Sequence, residues 1–206
     1  MTLKFAILGD SIAYGQGASA QADTIAARLS ADLSGQGLPI QARVLAVSGS
    51  CTSDLPAQVR SALAWQPNLA LIIIGANDLT RFVPPQQAAA QLGETVRALR
   101  AASAEVVVAP APDLSVVPWV PIQMRAAVQA GSRVLHDAQS RAARLAGAQV
   151  ADIGISAASR FARDPALFSA DRFHPSSAGY AVIAAALAPT LRAAAQAAHA
   201  GGHRPA

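Results

Sequence analysis

Leu69-Ala70-Leu71-Ile72-Ile73-Ile74, broken off at once by Gly75-Ala76-Asn77-Asp78, sets the fold class of this chain. Six apolar residues with no polar alternation do not suit a strand with one wet face. They suit a strand covered on both faces, which is the condition of a parallel sheet. Four more short apolar runs, at residues 3–8, 42–47, 105–109 and 149–153, read the same way. Between them lie longer stretches with helical spacing, at 24–33, 55–65, 85–101 and 122–145, and a last one from 176 to about 199. The alternation predicts an α/β fold, a three-layer α/β/α sandwich on a five-stranded parallel sheet with right-handed crossovers. Periodicity leaves the strand order open.

Polar motifs sit where these runs stop. Gly9-Asp10-Ser11 follows the first, Ser48-Gly49 the second and Asn77 the third, while Asp171-Arg172-Phe173-His174-Pro175 precedes the last helix. In an open parallel sheet ligands bind at the carboxyl ends of the strands. Ser11, Gly49 and Asn77, read as two or three residues past their strand ends, are therefore placed on one edge. A serine hydroxyl needs a base to become a nucleophile, and an imidazole titrating near neutrality supplies one. Asp171, three residues before His174, can accept the Nδ1 proton and leave Nε2 facing Ser11. Simpler roles exist for each residue: a helix cap for Ser11, a turn for Asn77, a positive φ for Gly49. Asp10 reads as a backbone brace, Asp78 as a cap or structural hydrogen-bond partner, and Cys51 as a small buried residue. His136 lies in a helical pattern and His199 and His203 near the chain end, so only His174 has a carboxylate at a useful spacing.

Taken together, Gly9 to Gly15, Ser48-Gly49 within 44–52, Gly75 to Asp78 and Asp171 to Pro175 resemble the four blocks of the SGNH, or GDSL-type, hydrolases, a family of serine esterases, lipases, thioesterases and carbohydrate deacetylases. The resemblance spans nearly the whole chain. It implies Ser11 as nucleophile, Asp171 and His174 as its acid and base, and an oxyanion hole made by the backbone N–H groups of Ser11 and Gly49 and the Asn77 amide. It also implies the flavodoxin-like strand order 2-1-3-4-5. The second block often opens with an asparagine where this chain has Val44. No Gly-x-Ser-x-Gly pentapeptide occurs, which argues against the nucleophile elbow of the α/β-hydrolases.

Composition narrows the rest. A chain of 206 residues without a linker-like stretch reads as one domain over 1–199, with 200–206 a disordered tail. The net charge is +4, but the arginines are scattered and no basic stripe or stacking-aromatic motif accompanies them, so nucleic acid is not an expected partner. The single cysteine excludes an internal disulfide and gives no metal cluster. No cofactor or metal is expected. No apolar run reads as a membrane span, and the first apolar segment is too short for a signal peptide's core, so a cytoplasmic protein is the simplest expectation, with secretion the alternative if a signal peptide has been removed.

The expected partner is a small-molecule acyl ester, with the oligomeric state open. Phe82 and Trp119 are the candidate pocket walls, and the short proline-stiffened segment 113–121 points to a short acyl chain. Two other readings fit the residues: acyl transfer through the same acyl-enzyme, and a non-catalytic module gripping a nucleotide or sugar phosphate with residues 9–17. A serine-reactive fluorophosphonate separates the last from catalysis, because a binding module gains no label at Ser11.

Overall fold

The computed structural model describes residues 2–151 and 153–201. Five parallel strands, β1 Leu3–Gly9, β2 Ile40–Val44, β3 Leu69–Ile73, β4 Glu105–Ala109 and β5 Gln149–Val150, lie in the order β2-β1-β3-β4-β5. Phe5 pairs with Leu69 and Leu69 with Glu105, so the middle strands run in step. Eight helices accompany them among the described residues: α1 Ser11–Tyr14, α2 Ile25–Gly35, α3 Leu55–Trp65, α4 Ala76–Thr80, α5 Pro85–Ala101, α6 Arg125–Leu145, α7 Gly154–Phe161 and α8 Ser177–Gly201.

Successive side chains on a strand point to opposite faces, and in β1, β3 and β4 both sets are buried almost throughout. Phe5, Ile7, Leu69, Leu71 and Val107 pack under Ile25 and Leu29 of α2 and Leu187 and Leu191 of α8. Leu8, Ala70, Ile72, Val106 and Val108 pack under Leu55 and Val59 of α3 and Leu92 and Val96 of α5. The polarity of a one-sided strand is absent from 69–74 because neither face meets water.

The edges depart from expectation. β2 is Ile40–Val44, shifted from the apolar run at 42–47, because the Leu45 and Ala46 N–H groups both donate to Ile7 O. That doubled pairing breaks the regular ladder. β5 has two residues where five were expected. Three helices were not foreseen: α1 and α4 are too short to show a period, and α7 lies in the connection between the fifth strand and Asp171, to which no element was assigned.

α8 continues through Ala200 and Gly201, two residues assigned to the tail, while 202–206 lie outside the described residues. Among the described residues it is the helix long and apolar enough, by length and composition, to cross a membrane. Its hydropathy comes largely from alanine, its Tyr180, Leu187 and Leu191 sit in the core, and its Arg192 Nε donates to Asp32 Oδ2 of α2 at 2.8 Å.

Candidate active site

β1 ends where the chain must turn sharply. Gly9 has φ +132, and a Cβ there would fall 1.8 Å from Ile73 O, so only glycine lets β1 leave the sheet this close to β3. Gln58 of α3 holds the turn from both sides, accepting the Gly9 N–H at 2.8 Å and donating to Gly9 O at 2.9 Å. Asp10 Oδ1 then caps α1 by accepting the Ile12 N–H at 3.0 Å, which makes Ser11 the first residue of the helix, 4% exposed.

His174 reaches that serine from the other end of the chain. Its Nε2 lies 3.0 Å from Ser11 Oγ and its Nδ1 2.6 Å from Asp171 Oδ2. An ionised carboxylate only accepts, so the ring proton sits on Nδ1 and Nε2 is left to accept the serine proton. Asp171 Oδ1 accepts the Phe173 and His174 N–H groups, each at 2.9 Å, and the Ser169 hydroxyl at 2.8 Å. Burial pushes the Asp171 carboxyl up, but the bonds from the His174 ring, the two backbone N–H groups and Ser169 outweigh it and hold the group well below the usual carboxylate range.

The loop carrying this pair is closed on itself by Ser169 N–H to His174 O at 2.8 Å and a Phe168–Pro175 bridge. Gly17, at φ +94, lets residues 15–20 pass beneath it, since a Cβ there would come 2.5 Å from Pro175 O.

The oxyanion candidates stand on a third support. Asn77 Nδ2 donates one hydrogen to Ser50 O at 3.0 Å, which fixes the amide plane and leaves the second hydrogen for another acceptor. Gly49, at φ +83, has its carbonyl held by Arg81 Nη2 at 3.0 Å. Asp78 is wholly buried and accepts the Thr52 N–H at 3.1 Å on each oxygen and the Thr52 hydroxyl at 2.8 Å. Gln58 Nε2 also lies 3.3 Å from Ser50 Oγ. Loop 49–52 is thus strapped to α4 and to the end of β1. Gly49 and Asn77 fall five and four residues past their strands, because β2 ends early and α4 begins immediately after Gly75.

Phe82 and Trp119 line one open groove of about 550 Å³, with Leu79, Val83, Met124 and Phe173. Trp119 stacks on Phe173 at 5.5 Å between centroids, and Phe173 meets the His174 ring edge-on at 4.9 Å. One wall of the groove, Phe173, is therefore in contact with the imidazole. Phe82 is 91% exposed on a backbone with φ +54, an uncommon conformation for a residue of its size.

Gln58, Thr52, Arg81 and Phe173 were missed by sequence reasoning. Only Gln58 carried a signal, as a polar residue on the face of α3 that buries Leu55, Val59 and Ala62. Among the described residues no group of three or more His, Cys, Asp or Glu is placed to hold a metal ion.

Fold and site together define a class: a three-layer α/β/α protein with a Ser–His–Asp chain at the carboxyl edge of its sheet. The chain belongs to the GDSL-like lipase/acylhydrolase family, whose sequence profile matches residues 7–182. It is 35% identical over 190 residues to the GDSL-like esterase Rv1075c of Mycobacterium tuberculosis strain H37Rv, covering 90% of this chain and 60% of that protein's length. Similar solved structures include the psychrotrophic esterase EstA from Pseudoalteromonas sp., with TM-score 0.72, 18% identity and coverage of 92% of this chain and 97% of that one. The acetylxylan esterase Axe2 from Geobacillus stearothermophilus follows with TM-score 0.70, 21% identity and coverage of 92% and 94%. Both likenesses are of fold.

Proposed function

We propose that this protein is a serine hydrolase that cleaves small carboxylic esters, with short acyl groups, through a covalent acyl-enzyme on Ser11. The observation that carries the reading is the unbroken chain from Ser11 Oγ through the His174 ring to Asp171. As Ser11 Oγ bonds to the ester carbonyl carbon, its proton passes to His174 Nε2, and Asp171 stabilises the imidazolium without taking a proton. The charge forming on the carbonyl oxygen is met by the backbone N–H groups of Ser11 and Gly49 and the free hydrogen of the Asn77 amide. Collapse breaks the carbon–oxygen bond to the alcohol, which leaves with the Nε2 proton. Water then repeats the sequence on the acyl-enzyme, giving the acid and restoring Ser11. Family membership and the name of the Mycobacterium relative support ester hydrolysis.

The short-chain part rests on segment 113–121, which its prolines stiffen and Ser132 Oγ anchors by accepting the Leu114 N–H at 3.2 Å. The groove beside Trp119 is what a longer chain would use. Labelling with a fluorophosphonate tests the mechanism: one equivalent bound at Ser11, abolished in Ser11→Ala, is the expected result. An unlabelled protein, or a folded Ser11→Ala protein with wild-type turnover, overturns it.

A further inference from the structure

Asp10 carries a buried carboxylate that this reaction does not use. The residue is 1% exposed; Oδ1 is spent on capping α1, and Oδ2 has no hydrogen-bond partner. Leaving an ionised oxygen without a donor in a buried site is costly, and a buried polar atom with no partner calls for an explanation. Oδ2 belongs to the same turn as Ser11, and the N–H groups of Gly75 and Ala76, at the start of α4, lie near enough to the carboxylate to favour its ionised form. Those are first-turn groups with no partner inside their own helix. The next residue along α4 is Asn77.

The groups that bear on Asp10 come from every side of the turn. Asp78 of α4 repels its charge, and Tyr180 of α8, itself buried, feels it. Gln58 of α3 is uncharged and committed to Gly9 and Ser50, and His174 is bonded to the neighbouring Ser11. Burial is the largest influence and, with the repulsion from Asp78, outweighs the hydrogen bond from Ile12 and the pull of the nearby Ala76 and Gly75 N–H groups, so that the carboxyl is raised to about 7. Asp10 thus gains or loses its proton in the pH range where a serine hydrolase works.

We propose that Asp10 is a positioning residue: its ionised carboxylate ties the turn that carries Ser11 to the start of α4 that carries Asn77, so that turnover requires a second deprotonation besides that of His174. The inference rests on the roles proposed above for Ser11, His174 and Asn77. When Asp10 is neutral, its one strong acceptor is used by Ile12 and the start of α4 is released. When it is ionised, both oxygens accept, and nucleophile and oxyanion donor are drawn to one anchor. Deprotonating His174 restores the base, whereas deprotonating Asp10 restores the geometry.

The test is the pH dependence of kcat with saturating p-nitrophenyl butyrate, read with near-UV circular dichroism to establish that the protein stays folded. In the wild type, log kcat on the acid side is expected to steepen to a slope of two. In Asp10→Asn, which keeps the capping oxygen but not the second acceptor, the slope falls to one, with kcat at pH 8 lowered on the order of ten- to a hundredfold and KM within about twofold. A wild-type slope of one, or an Asp10→Asn profile with the wild-type slope, overturns the proposal. The wild-type slope decides the matter even where the variant fails to fold. Stability gives a second readout. Because the folded protein raises this carboxyl, the contribution of its neutral form is full below about 3.8 and is lost as pH rises through about 7. The wild type's advantage in melting temperature over Asp10→Asn should therefore shrink between pH 4 and pH 8, and a constant difference counts against the proposal. Fluorophosphonate labelling of Ser11 in both proteins keeps the two ideas apart: a wild type that does not label defeats the hydrolase reading, whereas normal labelling with unchanged pH profiles defeats only the role of Asp10.

Discussion

Ser11 and Asn77 stand on buried supports drawn from three separate parts of the chain, whereas Asp171 and His174 stand on a surface loop that braces itself. Gln58, Asp78 and Thr52, the supports of the first half, are all buried and hydrogen-bonded across long sequence separations. In the second half Asp171 is 45% exposed, and its partners Ser169, Phe173 and His174 lie within three residues of it. The fold as a whole positions the nucleophile and the oxyanion donors. A short turn positions the acid and base, and the fold has only to carry that turn to the right place. Chemistry and stability should therefore separate cleanly in the loop and be entangled in the buried half.

The largest effects fall on the Ser11–His174–Asp171 chain that joins the two halves. Ser11→Ala and His174→Ala should each lower kcat by about 10⁶, with the double variant scarcely worse, because the two groups act as a unit. Asp171→Asn should cost about 10⁴, since the amide presents the wrong partner to Nδ1. The thermal midpoints of His174→Ala and Asp171→Asn should stay near the wild type. A large loss of stability in either would show that the loop is part of the structural frame and would break the contrast.

Asn77→Ala comes next, with kcat reduced by roughly 10² to 10³ and KM little changed, because the amide contact strengthens only as the carbonyl becomes an oxyanion. Loss of binding at unchanged kcat would reassign Asn77 to recognition of the ground state. Thr52→Val tests the support directly. It removes the hydroxyl bond to the buried Asp78 while keeping the side-chain shape, so stability should fall by about 1.5–3 kcal/mol in urea unfolding, with kcat down only a few-fold. An activity loss without a stability loss would mean that loop 49–52 is positioned by something other than this strap.

The same contrast governs what could be read before the structure was known. The buried run at 69–74 announced its own environment, and Asp171 and His174 announced each other, because their interaction is local in sequence. The braces of the other half are not local: Gln58 is 49 residues from Gly9, and Thr52 is 26 from Asp78. No periodicity or spacing rule connects such pairs, since their meeting depends on the strand order and the crossovers. The edge strands were misplaced for a related reason. β2 is exposed along residues 41–44, so its hydrophobic pattern is weak, and its end is set by the doubled pairing at Ile7. Phe173 was hidden inside a motif whose other members drew the attention, and only its stacking with Trp119 shows why it matters.

The smallest effects concern the groove. Trp119 and Phe82 were candidate walls and line the same open space, yet the proposed short-chain preference needs them only weakly: an acetyl or butyryl group bonded to Ser11 has few methylenes to lay along it. Activity on p-nitrophenyl esters should therefore peak between acetate and butyrate, and Trp119→Ala should change kcat/KM for those esters by no more than a few-fold. The alternative outcome has a defined size. Each methylene buried in an apolar groove contributes about 0.8 kcal/mol, or about fourfold in kcat/KM, so four more methylenes between butyrate and octanoate amount to about two hundredfold. A rise of that order, lost in Trp119→Ala, would assign the groove to the acyl chain and overturn the short-chain preference. It would also extend the contrast between the halves. The Trp119–Phe173–His174 contacts would then link chain binding to the loop that braces itself, and a bound chain could steady the imidazole, whereas the buried half would remain indifferent to chain length.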